Sequence, residues 1–183
     1  MKPIPTLQTP RLTLRLLTRE DAVRVRELAS DPDVAHTTLN VPHPYPEGAA
    51  EQWIENHLTV YDAESCHATW GLCLADTGLL IGVMGIGGDG HNRKGEVGYW
   101  IGQAYWGRGF CTEALREVIR FAFQEVGWNK VTSRHFARNP ASGRVMEKAG
   151  MTREGILRKE VLKNDRFEDI VVYGMLRDDA TPS

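Results

Sequence analysis

Trp106-Gly107-Arg108-Gly109-Phe110-Cys111-Thr112-Glu113-Ala114 sits where one hydrophobic period gives way to another. Before it, Glu96-Val97-Gly98-Tyr99-Trp100-Ile101 has the β-branched and aromatic make-up of a strand. After it, Leu115, Val118, Ile119, Ala122 and Val126 recur at the 3.6-residue period. The spacing predicts a helix over 107–126, with Gly127 as its stop. Gly107 and Gly109 permit a tight turn, and a helix start adds unpaired N–H groups with a partial positive charge. Arg108 adds a charged donor. Such a stretch reads as a phosphate cradle. Taken alone, it fits a plain glycine turn before a helix equally well.

A second glycine cluster, Gly85-Ile86-Gly87-Gly88-Asp89-Gly90, satisfies G-x-G-x-x-G. A dinucleotide fingerprint must open a helix, whereas His91-Asn92-Arg93-Lys94-Gly95 leads into another strand. The cluster therefore reads as a flexible hairpin turn. Upstream, residues 11–17 alternate as a strand with Leu12, Leu14 and Leu16 on one face. Thr18 and Asp21 resemble a capping box for a helix to about Ser30, which Asp31-Pro32-Asp33 ends. Prolines 42, 44 and 46 make 36–46 irregular, and 47–61 reads as a helix with Trp53, Ile54, Leu58 and Tyr61 inward.

Residues 68–75 and 79–86 are strands around Asp76-Thr77-Gly78, with 96–101 the third of a meander. Residues 131–136 form a further strand, and Asn139-Pro140 opens a helix that ends at Gly150. Residues 153–163 and 166–176 pair about Asn164-Asp165. This order predicts an α+β single domain over 1–176, with a mixed, mostly antiparallel central sheet of about seven strands flanked by about four helices. Residues 177–183 read as a flexible tail.

Hydrophobic residues make up 42% and charged residues 25% of 183, ordinary globular usage that excludes disordered and low-complexity classes. A net charge of −2 offers no basic surplus for a nucleic-acid partner. Residues 130–168, however, hold ten Lys/Arg against five Asp/Glu, which suits a phosphorylated cofactor or, equally, a solvated face. Cys66, Cys73 and Cys111 are odd in number and lack ligand spacing, which points to a reducing compartment. His36, His43, His57, His67, His91 and His135 show no ligand spacing either, so no metal is expected. With no apolar run of signal or membrane length, the expected protein is cytoplasmic, with no membrane partner.

Asn139-Pro140-Ala141-Ser142, then Val145-Met146-Glu147-Lys148-Ala149-Gly150-Met151 and Glu154-Gly155, follow the 106–114 stretch in order. Together the two clusters resemble the GNAT (Gcn5-related N-acetyltransferase) superfamily, most of all its branch of ribosomal-protein N-terminal acetyltransferases. The resemblance runs from Thr9-Pro10-Arg11-Leu12 to the final hairpin. It implies a GNAT fold, acetyl-CoA as co-substrate, and direct attack by a primary amine, with a protein N-terminal α-amine as acceptor. A polyamine or aminoglycoside amine is the alternative acceptor. A non-catalytic acyl-CoA-binding regulatory module is the rival from another class. The oligomeric state, including a homodimer, stays open.

The family's pyrophosphate loop, Gln/Arg-x-x-Gly-x-Gly/Ala, falls on 106–111: Gly109 matches, while Trp106 and Cys111 depart. The resemblance implies coenzyme A contacts at Gly107, Arg108, Gly109, Phe110, Cys111 and Thr112. It implies a β-bulge at Gly98 with oxyanion donors at Gly98, Tyr99 and Trp100, and Asn139 and Ser142 along the pantetheine arm. An ammonium has no lone pair, so a base must take its proton. Glu96, on the face of Gly98 and Trp100, is the candidate, or else an edge-strand salt-bridge partner. Met146 stands where many relatives carry a tyrosine acid, and Ser142 is the implied substitute, or else a helix-surface group. Cys111 lies at a helix start, where a thiol pKa can fall. Trp53, Trp70, Trp100 and Trp128 read as core, and the 36–46 segment and the Asn164 turn as borders of the acceptor site.

Overall fold

Leu12, Leu14 and Leu16 all point to one side of their strand, and that side becomes the larger of two cores. The computed structural model describes residues 4–57 and 67–180. Along the chain come β1 (Leu7–Gln8), β2 (Leu12–Leu16), α1 (Ala22–Ala29), α2 (Pro32–Thr37) and α3 (Ala49–His57). The meander β3 (His67–Leu74), β4 (Leu80–Asp89) and β5 (Lys94–Ile101) follows. Then come α4 (Phe110–Phe121), β6 (Lys130–Phe136), α5 (Pro140–Lys148), β7 (Thr152–Lys163) and β8 (Arg166–Leu176).

One sheet holds eight strands in the order β1-β2-β3-β4-β5-β6-β8-β7. Every neighbouring pair is antiparallel except β5 and β6. Residues of α4 pack with Trp70, Met84, Val97 and Val131 in the larger core. On the opposite face, Val25 of α1 and Ile54 of α3 pack with Leu17, Cys73 and Val83. The α+β architecture is as expected, with one more strand and one more helix. β1 is two residues long, too short for an alternation, and is recognised only by its pairing of Leu7 with Leu14.

The extra helix is α2. Asp31-Pro32-Asp33 does end α1, but Asp31 Oδ1 then accepts from Asp33 N at 2.8 Å, and Pro32 sits at the first helical position. The same residues stop one helix and start the next. The capping box forms as read: Asp21 Oδ2 accepts from the Thr18 amide at 2.8 Å ahead of α1. α4 begins at Phe110 instead of 107 because Gly107 and Gly109 are left-handed, at φ 71° and 81°. A π-helical turn over Ala122–Val126 follows it, and Gly127 at φ 85° ends the run. Leu58, Tyr61 and Cys66 lie outside the described residues.

Gly85, Gly87 and Gly88 belong to β4, and the turn comes later, over 90–93, with Arg93 at φ 48°. The reading as a flexible turn is thus corrected. Gly88 pairs directly with Gly95. A Cβ on Gly88 would lie 2.4 Å from the Trp128 ring, and one on Gly95 only 1.9 Å. The glycines are there so that a buried indole can lie against bare backbone. Trp70 and Trp128 are core as read; Trp53 and Trp100 are half-buried. The tail is held as far as Ala180: Arg177 N donates to Asn129 O at 2.9 Å and Arg177 Nε to Trp128 O at 2.8 Å. Among the described residues no helix is long and apolar enough to cross a membrane.

Gly95 and Gly98 lie on one strand and make opposite predictions, because a Cβ on Gly98 meets nothing within 4 Å. Gly95→Ala is expected to cost about 1–3 kcal/mol through overpacking against Trp128. Gly98→Ala should stay within about 0.5 kcal/mol of the parent. Urea midpoints of the two variants check this; equal midpoints would remove the proposed packing role of Gly95.

Candidate active site

β5 and β6 are paired from Lys94 and Lys130 only as far as Val97 and Ser133, although both strands continue. The β4–β5 register runs unbroken from Gly82–Ile101 to Asp89–Lys94, so the bulge expected at Gly98 is absent. The parting of two parallel strands takes its place. Backbone groups alternate sides along a strand. Gly102 N donates to Ile81 O, so even-numbered residues of β5 address β4 and odd-numbered ones address β6. On that side Val97 O accepts from Ser133 Oγ at 2.8 Å, and Ile101 O accepts from Trp106 Nε1 at 2.8 Å. Between them, the N–H and C=O of Tyr99 face the opened wedge.

The glycine loop enters α4 beside this wedge. Gly109 is the N-cap, which turns the amides of Phe110, Cys111 and Thr112 outward at the helix start. A carboxylate fastens the arrangement. Glu113 accepts from Thr9 Oγ1 at 2.6 Å, Arg11 N at 2.8 Å and Arg11 Nε at 2.6 Å. Arg11 also donates to Arg108 O at 3.0 Å, and its guanidinium lies 4.7 Å from the Phe110 ring centre, with Arg108 at 5.2 Å. Burial pushes the Glu113 carboxyl up, but the hydrogen bonds from Thr9 and Arg11 outweigh it and hold it below its ordinary value.

Phe110 is buried, so its ring belongs to the core and only its amide faces a ligand. Cys111 departs from its expectation: burial pushes its thiol up to about 12, so the helix start does not make it a thiolate. Arg116, Arg144 and Lys148 line the same end of the cavity, and Arg116 donates to the Lys148 carbonyl, tying α4 to α5. The carboxylates there are engaged, Glu113 with Arg11 and Glu117 with Arg120. This end is therefore basic, as a diphosphate requires.

Asn139 caps α5, its Oδ1 accepting from Ser142 N at 3.4 Å. Ser142 meets a partner that sequence spacing did not reveal: its Oγ is 2.9 Å from the Tyr99 hydroxyl. Burial raises the Tyr99 phenol above its ordinary range, with only partial relief from Ser142, so the hydroxyl stays protonated. Nearby His135 is buried, which pushes its imidazole below the usual value. Its Nδ1 lies 2.7 Å from Phe136 O, while Nε2 meets no hydrogen-bond partner among the described residues.

On the opposite face of the sheet, Glu96 is ion-paired to Arg134 at 2.7 Å, both about half exposed. Gly85 and Gly98 pair beside it and leave a bare floor. Tyr45, from the 36–46 segment, lines the cavity there with Trp53 and Trp100, two indoles whose residue type reads as core. The 36–46 segment does border this side, held by Lys163 Nζ donating to Leu39 O and Val41 O at 3.0 and 2.8 Å. The continuous cavity is about 1520 Å³ and joins the basic end to this apolar one through the wedge. Free helix-start amides and surplus cations fit the diphosphate of coenzyme A, and the parted strands fit its extended arm. Among the described residues no three His, Cys, Asp or Glu side chains gather as a metal site.

The family signature of the acetyltransferase (GNAT) domain matches residues 11–152. YdaF of Bacillus subtilis, whose name describes a candidate ribosomal N-acetyltransferase, is 32% identical over 181 residues, 91% of each chain. The N-acetyltransferase YoaA of the same organism, itself uncharacterized, is 29% identical over 174 residues, 94% of this chain and 97% of its own. A crystal structure of a GNAT-family acetyltransferase from Bacillus anthracis superposes with a TM-score of 0.85 at 22% identity, covering 95% of this chain and 99% of that one.

Glu113 is the brace of the loop, so Glu113→Ala is expected to lose about 2 kcal/mol, the range for hydrogen bonds to a charged group. Because its folded pKa is lowered, that contribution is complete above the ordinary glutamate value, about 4.3, and disappears as pH falls through the folded value. Denaturant unfolding should separate parent and variant at pH 7, and the gap should close progressively as pH falls below the ordinary glutamate value. A constant gap would mean the carboxylate charge is irrelevant.

Proposed function

The chain belongs to the acetyltransferase (GNAT) domain family and is an acetyl-CoA-dependent acetyltransferase, and from that premise we propose that it acetylates protein N-terminal α-amines by direct attack. The observation that carries the reading is the wedge. It joins a basic cavity end, suited to coenzyme A, to an open groove on the other face, from which an amine reaches the same point. The ribosomal assignment in the name of YdaF agrees with it.

Acetyl-CoA supplies an acetyl group activated as a thioester. The amides of Gly107 and of Gly109 to Thr112 line the end that takes its diphosphate, and Asn139 and Ser142 border its arm; Arg108, stacked on the Phe110 ring, adds a charge to the same loop. Of the donors at Gly98, Tyr99 and Trp100, the Tyr99 amide is the one turned into the wedge, and it donates to the carbonyl oxygen as charge develops. Glu96 takes the proton of the incoming ammonium. An ion pair as exposed as Glu96–Arg134 contributes only about 0–1 kcal/mol, so a substrate ammonium competes for the carboxylate at small cost. The Tyr99–Ser142 hydroxyl pair returns a proton to the departing sulfur.

Mass spectrometry of peptides with free and with blocked N-termini, incubated with acetyl-CoA, tests the acceptor. Acetylation confined to free N-termini is expected, and modification of lysine side chains alone would overturn the reading. Glu96→Gln should lower kcat by about a hundredfold or more with the KM for acetyl-CoA unchanged. Tyr99→Phe and Ser142→Ala should lower kcat by similar factors to one another, since each breaks the same pair. A parental rate in Glu96→Gln would remove it as the base.

A further inference from the structure

The register of β4 and β5 maps the acceptor side pair by pair. Gly85 faces Gly98, and both lie bare on the floor of the groove. One step along the same face in one direction is Gly87 opposite Glu96; one step in the other is Val83 opposite Trp100. Successive same-face positions are about 7 Å apart along a strand. An amine placed over Gly98, near the Tyr99 amide, therefore has a carboxylate on one side and an indole on the other. That spacing is the reach of a large side chain from its own α-nitrogen.

Trp100 does not stand alone. Tyr45 and Trp53 line the same cavity, and all three rings pack one side on the apolar cluster of Val25, Ile54 and Val83. Each ring stays only half-buried, leaving aromatic surface facing the cavity. Such surface is the usual anchor for an apolar ligand group. The charges are wrong for a polycation. Among the described residues Glu96 is the carboxylate lining this side, and it is paired to Arg134, with the Lys163 ammonium close behind the 36–46 segment.

We propose that this groove is a specificity subsite for the first residue of the acceptor, selecting an N-terminal residue with an aromatic or large aliphatic side chain over small, polar or cationic ones. The α-amine sits over the Gly85–Gly98 floor, and the side chain lies against Trp100, Val83, Trp53 and Tyr45. The inference rests on the N-terminal acceptor reading and sharpens it. A spermidine-like acceptor would instead bring several ammonium groups to a wall on which, among the described residues, the lining carboxylate is already paired.

A peptide series differing only in its first residue (Phe, Leu, Ser or Lys), together with phenethylamine and spermidine, tests the subsite. The expected kcat/KM for Phe and Leu exceeds that for Ser and Lys by about tenfold or more, within the range one apolar pocket supplies. Trp100→Leu and Trp53→Ala should each erase most of that preference. An unchanged KM for acetyl-CoA in these variants shows that the fold and the cofactor end are intact. Gly98→Val, which fills the floor where a Cβ meets nothing, should raise acceptor KM without touching the KM for acetyl-CoA. Equal or faster turnover of the Ser peptide, or of spermidine, overturns the subsite. Acetylation of phenethylamine but of no peptide would defeat the N-terminal reading and leave the aromatic subsite standing. Peptide acetylation without any preference would do the reverse.

Discussion

Parallel pairing between β5 and β6 ends at Val97 and Ser133, and the working parts of the molecule are arranged around that end. Two parallel strands cannot be joined by a tight turn, so the chain must leave β5, cross one face and return. The crossing here is the glycine loop, α4 and the π-helical turn after it. Its start necessarily falls at the carboxyl end of β5, where the strands separate, as ligand crevices do in sheets with parallel strands. α5 leaves the carboxyl end of β6 in turn. The chain path thus brings two helix N-termini to one gap in a sheet, and Glu113 and Arg116 then fasten the helices there.

A gap in a sheet exposes backbone groups that need partners. Trp106 satisfies Ile101 O and Ser133 satisfies Val97 O, and the backbone of Tyr99 between them faces the wedge. The side chain of that same residue reaches α5 and meets Ser142. One residue therefore turns its amide toward the wedge and, in the proposed mechanism, supplies a proton through its phenol. Charge is divided across the sheet in the same economical way. On the α4–α5 side the carboxylates are occupied by Arg11 and Arg120, leaving Arg116, Arg144 and Lys148 in surplus. On the other side the groove is aromatic and Glu96, the lining carboxylate among the described residues, is paired.

How much was legible depends on how local the cause was. The glycine turn before α4, the capping box at Thr18 and the stop at Gly127 involve residues within a few positions of one another, and all appear where the sequence puts them. Asp31-Pro32-Asp33 was read as a stop because it is one; that it also starts α2 depends on the burial of Val34 and Ala35, which only the folded chain provides. Gly88 and Gly95 look like turn residues until Trp128, more than thirty positions further on, is seen lying against them. For Cys111 the local effect of a helix start was visible and the larger effect of burial was not. Trp53 and Trp100 share the apolar character of Trp70 and Trp128, and nothing in the residue type says which indoles the core leaves half uncovered.

Periodicity, turn chemistry and the two motif clusters were enough for the sequence alone to determine the order of every strand and helix except β1 and α2, the α+β class and the family. Those features are written in spacings of one to eight residues, the range over which backbone geometry and side-chain alternation act. Where β5 and β6 part, which amide faces the wedge, which hydroxyl Ser142 meets and which aromatic rings line the acceptor groove were decided by the tertiary structure. They depend on the register between strands and on contacts between residues tens of positions apart, such as Tyr99 with Ser142 and Arg11 with Glu113. A linear pattern carries no record of such distances, because many registers satisfy the same alternation and only packing selects one.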